Sequence, residues 1–224
     1  MWSRRACEIK KVYDTSPREI WEKLWPILSR IYKREKTFLD YQTPWELLVA
    51  VILSAQTTDE LVNKVTPGVF NTLPTVFDMA DASVETIAKL IARVNYKNVK
   101  ARYLFETAQI LVQRYEGQVP LDEDILQTLP GVGRKTAIAV LTNLLDEPRG
   151  IPVDTHVIRF VRRFHLSSAT DPKYIEQDLL RIIPKKHWKR AGYAIKEYGR
   201  REGRARGYKL KDDPLRDFVI NSRS

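Results

Sequence analysis

The chain has 224 residues, 43% of them hydrophobic and 29% charged, which is enough for a well-buried core in one globular unit or two small lobes and too apolar for a disordered chain. Lys and Arg total 38 against 28 Asp and Glu, a net charge of +10, so the surface attracts polyanions, of which nucleic acid is the commonest inside a cell. The single cysteine, Cys7, excludes an internal disulfide and a four-thiolate metal site, the histidines lack metal-ligand spacing, and no apolar run nears the ~20 residues of a membrane span, so an intracellular protein without a transition metal is expected.

In chain order, residues 17–34 read as an N-terminal helix. Thr43-Pro44-Trp45-Glu46 is a helix start: Thr43 caps, Pro44 suits the first helical position and Glu46 completes a capping box. Residues 47–53 are apolar on every face, which predicts a helix at the centre of a bundle. Ser54-Ala55-Gln56-Thr57-Thr58-Asp59 turns abruptly polar, and the next helix is predicted to start at Thr58 or Asp59. Residues 83–92 form a short helix, and Asn95-Tyr96-Lys97-Asn98 breaks the pattern. Leu104, Ala108, Leu111, Val112 and Tyr115 then mark a longer helix. Residues 122–128 are helical, closed by Leu129-Pro130-Gly131-Val132-Gly133, and residues 135–145 are helical again. Asp154 opens a helix through Phe164. Ile175, Leu179 and Ile182 mark the next, and residues 188–198 form the last. Strand-like pieces such as Gln118-Val119-Pro120 are very short, so the fold class is all-α with neighbouring helices packed together.

Two segments carry chemistry: Leu129-Pro130-Gly131-Val132-Gly133-Arg134-Lys135-Thr136-Ala137 and Val153-Asp154-Thr155-His156. The first reads as helix, glycine hairpin, helix. Gly131 and Gly133 permit positive φ, and they expose backbone N–H groups at a helix N-terminus, where the dipole favours a phosphate. A plain helical turn explains the glycines alone equally well. A simple N-cap explains Asp154 alone, and a phosphate-binding lysine explains Lys135 alone.

Taken together, the two segments resemble the endonuclease III branch of the helix-hairpin-helix DNA glycosylase superfamily. The resemblance extends through residues 44–59 and Val62-Asn63-Lys64, and covers the chain broadly from Pro44 to Arg200. It implies a bifunctional glycosylase with an abasic-site lyase step, acting on duplex DNA with a damaged base, an oxidised pyrimidine being the family expectation. Lys135 matches the catalytic lysine, which attacks C1′ and forms a Schiff base before β-elimination. The amine must be neutral to attack, which partial burial or neighbouring cations such as Arg134 favour. Asp154 matches the catalytic aspartate, which stabilises oxocarbenium character as the base leaves. The base must be extruded from the stack, and Gln56 matches the residue that enters the gap. Tyr96 occupies the position of the intercalating wedge, often leucine in this branch. Asp59 also matches a family aspartate, although capping of the next helix explains it as well. Gly131, Gly133, Arg134 and Thr136 belong to the phosphate-binding hairpin.

The implied architecture is two helical lobes with a DNA-binding cleft between them. Residues 37–147 form one, ending in the hairpin; residues 1–36 with 148–224 form the other, carrying Asp154 and a basic C-terminal region. A monomer working at the nucleoid is expected. The family usually ends in four cysteines holding an iron–sulfur cluster. Counted on without gaps from Tyr198-Gly199-Arg200, those positions fall at Gly203, Leu210, Asp213 and Val219, none of which can supply a thiolate. No cluster and no other cofactor are therefore expected. Arg200, Arg204 and Arg206 are expected to contact the DNA backbone, and Leu210, Leu215, Phe218 and Val219 to pack where the cluster would sit. Two alternatives stay open: a monofunctional uracil or mismatched-thymine glycosylase, against which Lys135 argues, and a non-catalytic hairpin module, which needs neither Lys135 nor Asp154.

Overall fold

Helix signals from end to end become helices in the computed structural model, which describes residues 15–145, 148–203 and 207–219. No strand occurs among the described residues, and Gln118-Val119-Pro120 is irregular. In chain order the α-helices are α1 (Pro17–Ile31), α2 (Pro44–Ser54), α3 (Asp59–Thr72), α4 (Val76–Asp81), α5 (Val84–Leu90), α6 (Lys97–Tyr115), α7 (Glu123–Gln127), α8 (Arg134–Leu144), α9 (Thr155–Arg163), α10 (Pro172–Ile182) and α11 (Trp188–Arg201). None is long and apolar enough to cross a membrane.

The chain forms two compact units, Thr37–Arg149 and Met1–Lys36 with Gly150–Ser224. The core of Thr37–Arg149 is built on α2, whose residues 47–50 are all 0% exposed, as its all-round apolar pattern requires. Each such Leu or Val contributes about 2 kcal/mol through burial. Helix α6 lays Ala101, Leu104, Ala108 and Leu111 against this core. The other unit packs Trp21, Leu24 and Leu28 of α1 against Phe160, Phe164, Leu179, Ile195 and Tyr198.

Three local expectations need correction. At the start of α2 the Thr43 hydroxyl accepts from Glu46 N (3.1 Å), but the Glu46 carboxylate takes Gln42 N (2.7 Å), one residue before the cap. The cap of α3 is Thr58, whose hydroxyl accepts from Leu61 N, so Asp59 is the first helical residue rather than the cap. Helix α4 had no counterpart among the expected elements. Its signal was present in a capping box, with Asp78 taking Thr75 N (2.9 Å) and Thr75 Oγ1 taking Asp78 N (3.1 Å), but one and a half turns carry too little apolar periodicity to register.

Candidate functional site

Helices α7 and α8 and the turn between them form the hairpin. Leu129 N donates to Leu126 O and Val132 N to Leu129 O (both 3.1 Å), while the buried Leu129 and Val132 anchor the turn. Helix α6 braces it: Thr107 Oγ1 donates to Pro130 O at 3.2 Å, and Tyr103 packs under Gly131. A side chain at Gly131 is excluded twice, by φ +76° and by a Cβ that would lie 2.6 Å from Tyr103 Cδ2.

Gly133 differs from expectation. Its φ is −91°, ordinary extended backbone, so positive φ is needed only at Gly131. What distinguishes Gly133 is open space, with nothing within 4 Å of a Cβ placed there. It is the N-cap of α8 and supplies no side-chain cap, so the chain at the start of the helix has an uncrowded approach.

Lys135 is exposed in the first turn of α8, so the partial burial expected to favour a neutral amine is absent from the protein alone. Thr136 is half-buried. Arg134 forms an ion pair with Glu123 at the start of α7. The hollow beside it, about 330 Å³, is lined by Asp122, Glu123 and Asp124 as well as Arg134 and Arg149, a set that disfavours a phosphate there.

Gln56 and Tyr96 share an unusual backbone. Both are left-handed, at φ 54° and φ 58°, a conformation that costs a non-glycine residue about 1–3 kcal/mol and persists where surroundings impose it. Their loops are tied directly: Asn95 Nδ2 donates to Gln56 O at 2.6 Å. Gln56 is exposed, and Tyr96, at 63%, is the most exposed of the large hydrophobic residues described. Beneath the Gln56 loop lies Lys100, 4% exposed, bonded to Leu53 O, Ala55 O and Thr57 Oγ1. The sequence offered no sign of Lys100 or Asn95, since a lysine early in a helix and an asparagine in a turn both read as solvent-facing.

Asp154, half-buried, is the N-cap of α9. Its Oδ1 accepts from His156 N (2.8 Å) and Val157 N (3.0 Å); among the described residues Oδ2 has no hydrogen bond. His156 packs against α11 so closely that a Cβ at Gly199 would sit 2.6 Å from its Nδ1. Burial lowers the His156 pKa, with Asp154 opposing. Its Nδ1 lies 3.0 Å from an Arg159 guanidinium nitrogen, which can only donate, so Nδ1 accepts and the ring is neutral. Arg159 Nε continues to Gly203 O (3.2 Å).

The C-terminal segment is organised by a buried carboxylate. Asp213, 1% exposed, accepts from Tyr198 Oη (2.5 Å), Tyr208 Oη (2.7 Å) and Leu215 N (2.8 Å). Arg163 donates to Tyr198 Oη (2.8 Å) and stacks on the Tyr208 ring at 3.7 Å. Burial, then the bond to Asp213, raises both phenols above their ordinary range, so they remain donors. Leu215 is fully buried, and Phe218 and Val219 pack against the same core, whereas Leu210 is 38% exposed and does not fill it. Arg200 lies half-buried in the last turn of α11, while Arg204 and Arg206 fall outside the described residues.

Residues 49–185 match the model of the HhH-GPD superfamily base excision DNA repair proteins. Endonuclease III of Synechocystis is 42% identical over 174 residues, spanning 78% of this chain and 80% of the relative. That of Escherichia coli K12 is 37% identical over 161 residues, spanning 70% and 76%. A solved structure of a trapped covalent intermediate between endonuclease III and DNA superimposes with a TM-score of 0.84 at 32% identity, covering 89% of this chain and 95% of that one.

Proposed function

Because the chain belongs to the HhH-GPD superfamily of base excision DNA repair proteins, we propose that it is a bifunctional DNA glycosylase with abasic-site lyase activity, acting on damaged pyrimidines in duplex DNA at the nucleoid. The observation that carries the mechanism is that Lys135 stands in the exposed first turn of the hairpin's second helix while Asp154 caps α9 through Oδ1 alone, Oδ2 making no hydrogen bond among the described residues. The first-turn amides around Gly133 take a backbone phosphate. Asp154 Oδ2 stabilises positive charge on the sugar as the C1′–base bond lengthens. Neutral Lys135 Nζ bonds to C1′ and the base departs with the bonding pair. Ring opening gives a Schiff base, C2′ loses a proton, and the 3′ phosphate is eliminated, which cuts the strand. Gln56 fills the gap left by the extruded nucleotide and Tyr96 stacks on an exposed base, each held by a backbone set in advance.

The same reading includes no iron–sulfur cluster. The donor set does not fit one: Gly203 has no side chain, Leu210 and Val219 have no donor atom, and Asp213 is an oxygen donor already engaged by two phenols and an amide. The Asp213 hub holds the segment instead.

Borohydride trapping tests the mechanism. With DNA containing thymine glycol or an abasic site, the protein forms a covalent adduct, and Lys135→Gln abolishes adduct and strand cleavage while retaining affinity for an abasic duplex, because the hairpin amides remain. Trapping by Lys135→Gln would place the nucleophile elsewhere. Excision without an adduct in the unaltered protein would favour the monofunctional alternative.

A further inference from the structure

Lys100 is the one lysine buried among the described residues, and the mechanism above gives it no part. It reaches from α6 to the end of α2. Its Nζ lies 2.8 Å from Leu53 O, 2.6 Å from Ala55 O and 3.1 Å from Thr57 Oγ1. An ammonium has three N–H groups, and these acceptors use all of them. Burial pushes its pKa down to about 8, so it remains an ammonium at neutral pH. With every hydrogen engaged inside the protein, it is a holder of backbone and not a second nucleophile.

What it holds follows from accounting for each carbonyl. Val51 O accepts from Ser54 Oγ (2.8 Å), Ile52 O from Ala55 N (3.4 Å) and Ser54 O from Thr57 N (3.1 Å). Gln56 O accepts from Asn95 Nδ2 (2.6 Å), and Lys100 covers Leu53 O and Ala55 O. Every backbone carbonyl from Val51 to Gln56 thus has a partner. Helix α2 has no basic residue in its last turn, so the cation that meets its carbonyl end comes from α6. Gln56 has two soft dihedrals. The peptide before φ carries Ala55 O and the peptide after ψ carries Gln56 O, and both oxygens are held. Leaving the left-handed state swings one of them off Lys100 or Asn95. The backbone amide of Lys100 also donates to Tyr96 O (3.0 Å), so the loops of Gln56 and Tyr96 meet at this residue.

We propose that Lys100, with Asn95, is a positioning residue for base extrusion: it locks the peptide planes on either side of Gln56, so that this side chain is presented ready to enter the vacated stack. The inference rests on the gap-filling reading of Gln56.

Lys100→Met keeps the apolar stem and removes the donors; Asn95→Ala, on an exposed loop, removes the other arm without threatening the fold. Three readouts separate the possibilities: single-turnover excision of thymine glycol from duplex, cleavage of an abasic site in a single strand, and hydrogen exchange of the amides of residues 55–57. Duplex excision is expected to fall about tenfold in Lys100→Met and less in Asn95→Ala. Single-strand cleavage and borohydride trapping stay unchanged, exchange quickens, and Lys100→Met with Gln56→Ala is no slower than Gln56→Ala alone. A general folding defect depresses both substrates alike and overturns the proposal, as does unchanged exchange. If Gln56→Ala slows excision while Lys100→Met and Asn95→Ala do not, the proposal alone fails. If Gln56→Ala leaves duplex excision intact although Lys100→Met quickens exchange, the gap-filling reading fails and Lys100 is reduced to a loop clamp. Should Lys100→Met not fold, Asn95→Ala carries the same readouts.

Discussion

At Asp154 one carboxylate meets two demands: Oδ1 caps α9 through two backbone amides, and Oδ2 is left for the sugar cation of the proposed reaction. Asn caps a helix about as well as Asp but carries no charge. Asp154→Asn is therefore expected to keep its melting temperature while base excision falls by about 100-fold or more, with cleavage of a preformed abasic site less affected. A melting shift comparable to a lost cap, together with intact excision, would return Asp154 to a purely structural role. His156 supports a pH prediction. Its folded pKa lies below the ordinary 6.5 chiefly because burial disfavours the imidazolium. The unfolded chain binds the proton more readily, so the stability contribution is complete above about pH 6.5 and is lost as pH falls through the window below it. Melting temperatures followed from pH 7.5 to 5 should fall less steeply in His156→Gln than in the unaltered protein; parallel curves would refute this.

The C-terminal segment shows an element held by a polar hub instead of periodic apolar contacts. Between the end of α11 and Val219 the described residues form only short 3₁₀ turns, Leu210–Asp212 and Arg216–Phe218, which cannot hold themselves. Asp213 draws two tyrosines and a backbone amide inward. Removing it leaves the buried Tyr198 hydroxyl and Leu215 amide without their acceptor, each costing about 1–3 kcal/mol. Asp213→Ala should lower unfolding free energy by about 3 kcal/mol and Asp213→Asn by less, both measurable by denaturant titration. Since the hub does the holding, the purified protein is expected to be colourless and free of iron; stoichiometric iron with visible absorbance would contradict that.

For the whole molecule the governing quantity is the net charge of +10. Binding to lesion duplex should weaken steeply with salt, with a log–log slope of about −0.9 for each phosphate neutralised. Neutralising Arg204 and Arg206 together should flatten that slope, and an unaltered slope would make them solvated residues that do not touch the backbone.

The sequence alone determined the helical class, the hairpin and the family, because each is written in short-range pattern. Seven apolar residues that follow the helix start Thr43-Pro44-Trp45-Glu46 read as a buried helix, and Gly131 answers a turn that few other residues can make. The joint pattern around Lys135 and Asp154 was legible for the same reason. Tertiary structure decided what depends on partners distant in the chain. It made Lys100 a clamp on residues 53–57 and Asp213 a buried acceptor for Tyr198, and it left Gly133 an open approach in ordinary backbone geometry. A lysine or aspartate in a polar stretch looks solvated in any window of sequence. Its burial is fixed only when another helix brings carbonyls or phenols to saturate the charge, and that proximity belongs to the packing of helices, which no local period encodes.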